Sequence, residues 1–285
     1  MIIRAVMLVI FLAALNGCVS IQSPSAPPML SNRIQLMDTF PAVLPKGASR
    51  FQETQLIFVH ADQAAEFAVG LLVPVPFVTD AIVDAHKGHV AEKLEKHYHS
   101  LDVFEITDET LSEYPTLSQG DDGYQLFPLM FIEECFDDVY RLSISYQLEK
   151  DDWINRYYFH LPTTIPSKDI ANPSPELMRR VSKDIHQGSK LLLSIIEKDI
   201  KQQYGSNFSK ATVGSLYMVG GNIAGITNPT ILAYKNSQIL SEDNASITVR
   251  VPGDPKAEAK AGGMAFGVHY FYKDQLHTLK YDKSS

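Results

Sequence analysis

Residues 140–149 alternate without a break. Tyr140, Leu142, Ile144, Tyr146 and Leu148 are apolar, and Arg141, Ser143, Ser145, Gln147 and Glu149 between them are polar. A helix repeats about every 3.6 residues, so a period of two held this long is a strand. The pattern predicts one face on a core and one face wet, as in antiparallel sheets. Lys150-Asp151-Asp152 then reads as a turn, and residues 153–161 (WINRYYFHL) as the returning strand of a hairpin. Pro162 and Pro166 bracket its exit.

The strongest helix signal follows. Ser174 can cap and Pro175 suits the first helical position. Leu177, Val181, Ile185, Leu192, Ile195 and Ile196 form an apolar stripe. Arg179, Arg180, Lys183, Lys190, Lys198 and Lys201 ride mostly on the other faces, and Gly205 is a natural stop. Gly188 in the middle marks a bend or a close contact, since glycine there costs about 1 kcal/mol relative to alanine.

Thr79 and Asp80 open a second helical pattern, running to Tyr98, with Val83, Val90, Leu94 and Leu101 on one face. Residues 101–106 read as a strand, and residues 108–114 as a short helix stopped by Pro115. Further strands are expected at 55–60, 213–219, 230–240, 245–251 and 264–272. Strands grouped around helices without strict alternation give an α+β class: a mostly antiparallel sheet packed with one long and one shorter helix.

The chain has 285 residues, 45% of them hydrophobic, which suits one packed domain of this size. A net charge of −8 argues against a nucleic-acid partner, which needs a basic face to displace phosphate counterions.

The first residues have their own logic. Arg4 is followed by an apolar run over residues 5–15, too short to span a bilayer as a helix. A basic start, a medium apolar stretch and small residues at its end form the pattern of a secretory signal peptide. The run closes on Leu15-Asn16-Gly17-Cys18, which resembles the lipobox of bacterial lipoproteins. Leu15, Gly17 and Cys18 match it; Asn16 stands where a small or apolar residue is commoner. The resemblance implies cleavage before Cys18, lipidation of its thiol and acylation of the new amino terminus. Val19, in place of an aspartate, implies the outer membrane, with the domain facing the periplasm.

The expected organisation is a signal peptide at 1–17, a lipidated Cys18 with a Ser- and Pro-rich tether to residue 50, and one domain over 51–285. Cys135 is then left without a disulfide partner. With Glu133, Glu134, Asp137 and Asp138 around it, its thiol suits packing better than catalysis.

Constellations that could carry chemistry are sparse. His86, His89 and Glu92, with His97 and His99 beyond, form the densest metal-like cluster. It lacks the zinc-protease spacing, and Lys87, Lys93 and Lys96 oppose a cation, so solvated helix residues are expected and no metal. Residues 220–227 carry two glycines spaced as in a phosphate loop, but not the lysine that would follow. No serine-elbow motif occurs, and no cofactor is expected. The apolar run 67–78 reads as a buried strand or loop, and 252–263 as an exposed loop. Trp153, Tyr157, Tyr158, Phe159, Tyr270, Phe271 and Tyr272 read as one sheet face packed on a helix.

The expected function is therefore that of a lipid-anchored envelope protein acting by binding a protein partner. Envelope assembly, support of transport or secretion, and an immunity-type role all fit. The alternative is a tethered hydrolase of envelope polymers or lipids. A cleft holding two or more of His60, His160, His269 or an acid with a perturbed pKa would favour it.

Overall fold

A computed structural model describes residue 27 and residues 33–41, 48–50, 55–59, 97–117, 120, 123–134, 139–215, 232–251 and 266–282. Among them, twelve strands form one sheet. These are β1 (Ile34–Leu36), β2 (Ala48–Arg50), β3 (Leu56–Val59), β4 (Tyr124–Glu134), β5 (Val139–Lys150) and β6 (Trp153–His160). They continue with β7 (Ile165–Pro166), β8 (Lys210–Ser215), β9 (Leu232–Glu242), β10 (Ser246–Val251), β11 (Gly267–Tyr272) and β12 (Thr278–Tyr281). The order is β12-β8-β9-β10-β11-β6-β5-β4-β3-β2, with β1 also on β4 and β7 on β5. Most neighbours are antiparallel; β11 lies parallel to β6, and β1 and β3 parallel to β4. Helices α1 (Val103–Ser112) and α2 (Pro175–Ile200) complete an α+β fold.

The central hairpin forms as the alternation predicts. β5 and β6 pair from Ser143↔His160 to Lys150↔Trp153, across a two-residue turn in which Asp151 takes φ 52°. Aspartate tolerates that conformation better than most residues, and tight hairpins demand it. The predicted wet face is absent, however. Ser143, Ser145 and Gln147 are as buried as Leu142, Ile144 and Tyr146. Both faces of the hairpin are covered, so polarity along β5 marks a polar interior and not water.

β4 shows how a proline enters the middle of a sheet. Pro128 pairs with Tyr146 on one side. On the other edge β1 ends its pairing at Leu126 and β3 begins at Met130. The Leu126 carbonyl accepts from Met37 and the Met130 N–H donates to Gln55, so alternate residues turn their backbone to that edge. Pro128 is in phase with them, and its missing N–H falls in the gap between two partners. β1 and β2 lie in the stretch read as tether and lead-in, which is thus tied to the sheet at 34–36 and 48–50.

Residues 103–106, read as part of a strand, instead begin α1. Asp102 caps it, its carboxylate accepting the Glu105 N–H at 3.0 Å. Val103, Ile106, Thr107, Thr110 and Leu111 are the buried residues, at helical spacing. α2 begins at the Ser174 cap as expected but ends at Ile200, four residues before Tyr204. Gln202 takes φ 52°, its N–H donating to Asp199, while the Gln203 N–H donates to Lys198. Those two bonds make a Schellman motif, with glutamine in the place usually held by glycine.

One core fills the space between the helices and β4, β5, β6 and β11. A hydroxyl chain crosses it: Ser189 donates to Tyr146 at 2.5 Å, Tyr146 to Thr107 at 2.7 Å, and Thr107 to the Val103 carbonyl at 2.6 Å. That order leaves each hydroxyl with a donor role and no clash of protons. Gly188 lets α2 approach the hairpin. A methyl group there would lie 2.3 Å from Phe159 Cδ1 and 2.8 Å from Ile144 Cδ1. Gly188→Ala therefore gains helix propensity yet overpacks the core, at a cost of about 1–3 kcal/mol. Urea unfolding should show a net loss of stability; a gain would mean that α2 stands off the sheet.

Candidate functional site

Buried polar side chains gather in two places, one on each face of the central strands. On the helical face, Asp199 lies in the last turn of α2, among Ile195, Ile196 and Ile200. It is ion-paired with Arg250 of β10, and the two side chains are 3% and 5% exposed. Tyr157 of β6 donates to its other carboxylate oxygen at 2.7 Å. Burial first, and Asp199 second, push the Tyr157 phenol well above its ordinary pKa, so it remains a donor.

On the opposite face the strand registers assemble a second group. Gln147 pairs with Arg156, Ser145 with Tyr158 and Ser143 with His160 across β5 and β6. His269 of β11 stands beside Tyr158. Arg156 Nε donates to Gln147 Oε1 at 2.6 Å, and Gln147 Nε2 donates to Glu149 Oε1 at 2.6 Å. The Arg156 guanidinium also lies 4.9 Å over the Phe266 ring. Gly267 opens β11 at φ 122°, where a side chain would strike the Arg156 carbonyl at 2.4 Å.

His160 Nε2 and His269 Nδ1 are 3.1 Å apart, so one imidazole donates to the other. Each ring is stacked on an aromatic: His269 on Tyr158 at 4.4 Å between centroids, His160 on Phe271 at 4.6 Å. Burial, then the neighbouring His269, hold the His160 pKa well below its usual value. His160 is therefore held as a neutral imidazole. The rings are 3% and 1% exposed, so they are held in packing and do not line an open cleft.

Glu133 of β4 lies on the same face, 2% exposed. Burial raises its pKa to about 8, against the pull of Arg141 and the Ser143 hydroxyl. It is largely a neutral acid at pH 7.

Of the residues singled out in the sequence, the structure brings His160 and His269 together. Cys18, His60, His86, His89, Glu92 and Cys135 lie outside the described residues, as do the segments 67–78, 220–227 and 252–263. Among the described residues no group of three His, Cys, Asp or Glu is arranged to hold a metal ion. The aromatics do not form one face. Tyr157, Phe159, Tyr270 and Tyr272 join the helical core, while Tyr158 and Phe271 lie in clusters on the other side. The Asp199–Arg250 pair went unread, although an acid between Ile196 and Ile200 on a buried stripe is itself a sign of a hidden cation. The histidine pair had no such sign, because its members are 109 residues apart. No protein-family model, no characterised protein and no solved structure matches the chain.

Two predictions follow from these clusters. Asp199→Asn leaves Arg250 buried without its counter-charge and should cost about 3–5 kcal/mol in denaturant unfolding, whereas Asp199→Leu combined with Arg250→Met should recover most of it. The second concerns pH. Between pH 4.5 and about 8 the folded chain keeps a proton on Glu133 that the unfolded chain has lost, so rising pH works against the fold. Below pH 6.5 the unfolded chain protonates His160 while the fold refuses, so falling pH works against the fold. Each slope approaches about 1.4 kcal/mol per pH unit, and the two oppose one another between pH 4.5 and 6.5. In unfolding series across pH 4–9, Glu133→Gln should flatten the alkaline arm and His160→Gln the acid arm. Unchanged arms would remove both groups from the account.

Proposed function

We propose that the chain is a lipid-anchored protein of the bacterial envelope. Cys18 holds it in the outer membrane, and the domain faces the periplasm and acts by binding a protein partner there. Envelope assembly, support of a transport or secretion machine, and an immunity-type role are the settings that fit. The observation carrying this reading is the lipobox-like Leu15-Asn16-Gly17-Cys18 at the end of an uninterrupted apolar run. Two or more acyl chains make a stable anchor, and a tether raises the local concentration toward other envelope components. Among the described residues no helix is long and apolar enough to cross a membrane.

Binding is favoured over catalysis by the use made of the buried polar groups. Asp199, Arg250, Arg156 and Gln147 bond to one another's elements, which is what a scaffold requires. A tethered hydrolase is the second reading, and the meeting of His160 and His269 speaks for it. Their enclosure speaks against it, since a general base must reach its substrate.

Radiolabelled palmitate should enter the wild type in growing cells and be lost with Cys18→Ala; labelling that survives the substitution rejects the anchor. Affinity capture from detergent-solubilised envelopes, with the lipid intact, should return a stoichiometric protein. Turnover of envelope polymers or lipids by the purified chain would instead establish the hydrolase.

A further inference from the structure

The chain as a whole is acidic, yet its two helices carry opposite charge on their outer faces. α1 holds Glu105, Asp108 and Glu109 and no base, and it is flanked by Asp102 and Glu113; all five acids are exposed. Its outer arc, opposite the buried Val103, Ile106 and Thr107, is therefore acidic. α2 exposes Arg179, Arg180, Lys183, Lys190 and Lys198, with Glu176 as the one exposed acid in the helix. The helices touch along a seam. There Lys190 pairs with Glu113 at 2.8 Å, Tyr114 donates to the Lys190 carbonyl at 2.7 Å, and Thr116 donates to Glu197.

Part of this charge is already used. Glu113 is neutralised by Lys190, Arg179 by Glu176 and Lys201 by Glu197. Among the described residues, Glu105 and Glu109 on one helix and Arg180, Lys183 and Lys198 on the other have no ion pair. The surface is thus an acidic strip lying alongside a basic one.

That pattern selects among occupants. An anionic bilayer, or a uniformly acidic protein, would be drawn to α2 but repelled by the carboxylates of α1 beside it. The fitting partner carries both signs in the reverse order. A second copy has this arrangement: a two-fold axis along the seam sets each α1 over the other copy's α2, making both contacts favourable at once. We propose that the chain self-associates through this helical layer as a two-fold dimer, Glu105 and Glu109 of each copy facing Arg180 and Lys183 of the other. α2 is about 39 Å long and a helix is about 10 Å wide. The two helices together offer roughly 500 Å² per copy, below the usual size of a stable interface, so the dimer is weak and sensitive to salt. It needs no lipid anchor and stands or falls independently of Cys18.

Sedimentation velocity on the full chain in excess neutral detergent tests it. The wild type should form dimers at low salt, and their dissociation constant should rise at least about tenfold at high salt. Arg180→Glu with Lys183→Glu gives a chain acidic on both helices; Glu105→Lys with Glu109→Lys gives one basic on both. Each should be monomeric alone. Mixed in equal amounts they should form dimers again, because both contacts are then complementary, and this rescue also shows that both variants fold. A wild type that stays monomeric at low salt overturns the proposal, as does a dimer indifferent to both reversals. Preference of a monomeric wild type for micelles containing phosphatidylglycerol over neutral ones, lost with the α2 reversal alone, would assign the face to a membrane surface instead.

Discussion

β5 and β6 are covered on both faces, and each polar side chain they carry must find its partner inside the protein. An unpaired buried polar group costs about 1–3 kcal/mol, and an unpaired buried charge more. The strands meet most of this demand through register, although the buried Ser145 hydroxyl has no hydrogen-bond partner among the described residues. Pairing Gln147 with Arg156 puts an acceptor beside a guanidinium that has no access to water. Placing His269 next to the β5–β6 hairpin lets two imidazoles satisfy each other. A slip of one residue would turn these groups into the apolar core and bring Leu142, Ile144 and Phe159 to their places. Polar matching and apolar packing therefore select the same register.

The same constraint explains how the sheet holds together along its length. The hairpin half (β4 to β6) meets the C-terminal half (β8 to β12) at the parallel pairing of β6 with β11, a ladder with only Val268, His269 and Tyr270 as registered partners on β11. Asp199 lies above this joint. It receives Tyr157 from β6 and Arg250 from β10, which stand on either side of β11. α2 thus acts as a strap whose last turn clamps both halves, while Gly188 near its middle sets how close it lies. On the far side the stacked Tyr158, His269, His160 and Phe271 cross the same joint.

Periodicity made the hairpin, α2 and the α+β class legible in the sequence, because those elements each show one clear repeat. α1 was harder. Val103 and Ile106 also suit a strand, and only the Asp102 cap and the spacing on to Thr110 and Leu111 decide for helix. β4 was hidden by Pro128, which argues against a central strand unless the neighbour changes at that point, as it does here. β1 and β2 are three residues each, too short for any periodic signal. The buried clusters were the least legible part. They depend on strand order, which places β11 beside β6 across more than a hundred residues, and no local pattern encodes that.

Location and fold bear on each other through the cysteines. If Cys18 carries a lipid, as proposed, the chain's other cysteine has no partner, and the domain would meet an oxidising compartment with no disulfide of its own. Its stability must then come from packing and from buried polar contacts. Those contacts respond differently to the medium. The Asp199–Arg250 pair is enclosed and little affected by salt, whereas charges exposed on α1 and α2 are screened within a Debye length, about 8 Å at physiological ionic strength. Glu133 and His160 push the pH dependence in opposite directions, which levels the response between pH 4.5 and 6.5. A chain built this way has an interior that salt hardly reaches and that pH moves through Glu133 and His160, while the exposed helical charges are the ones that salt screens.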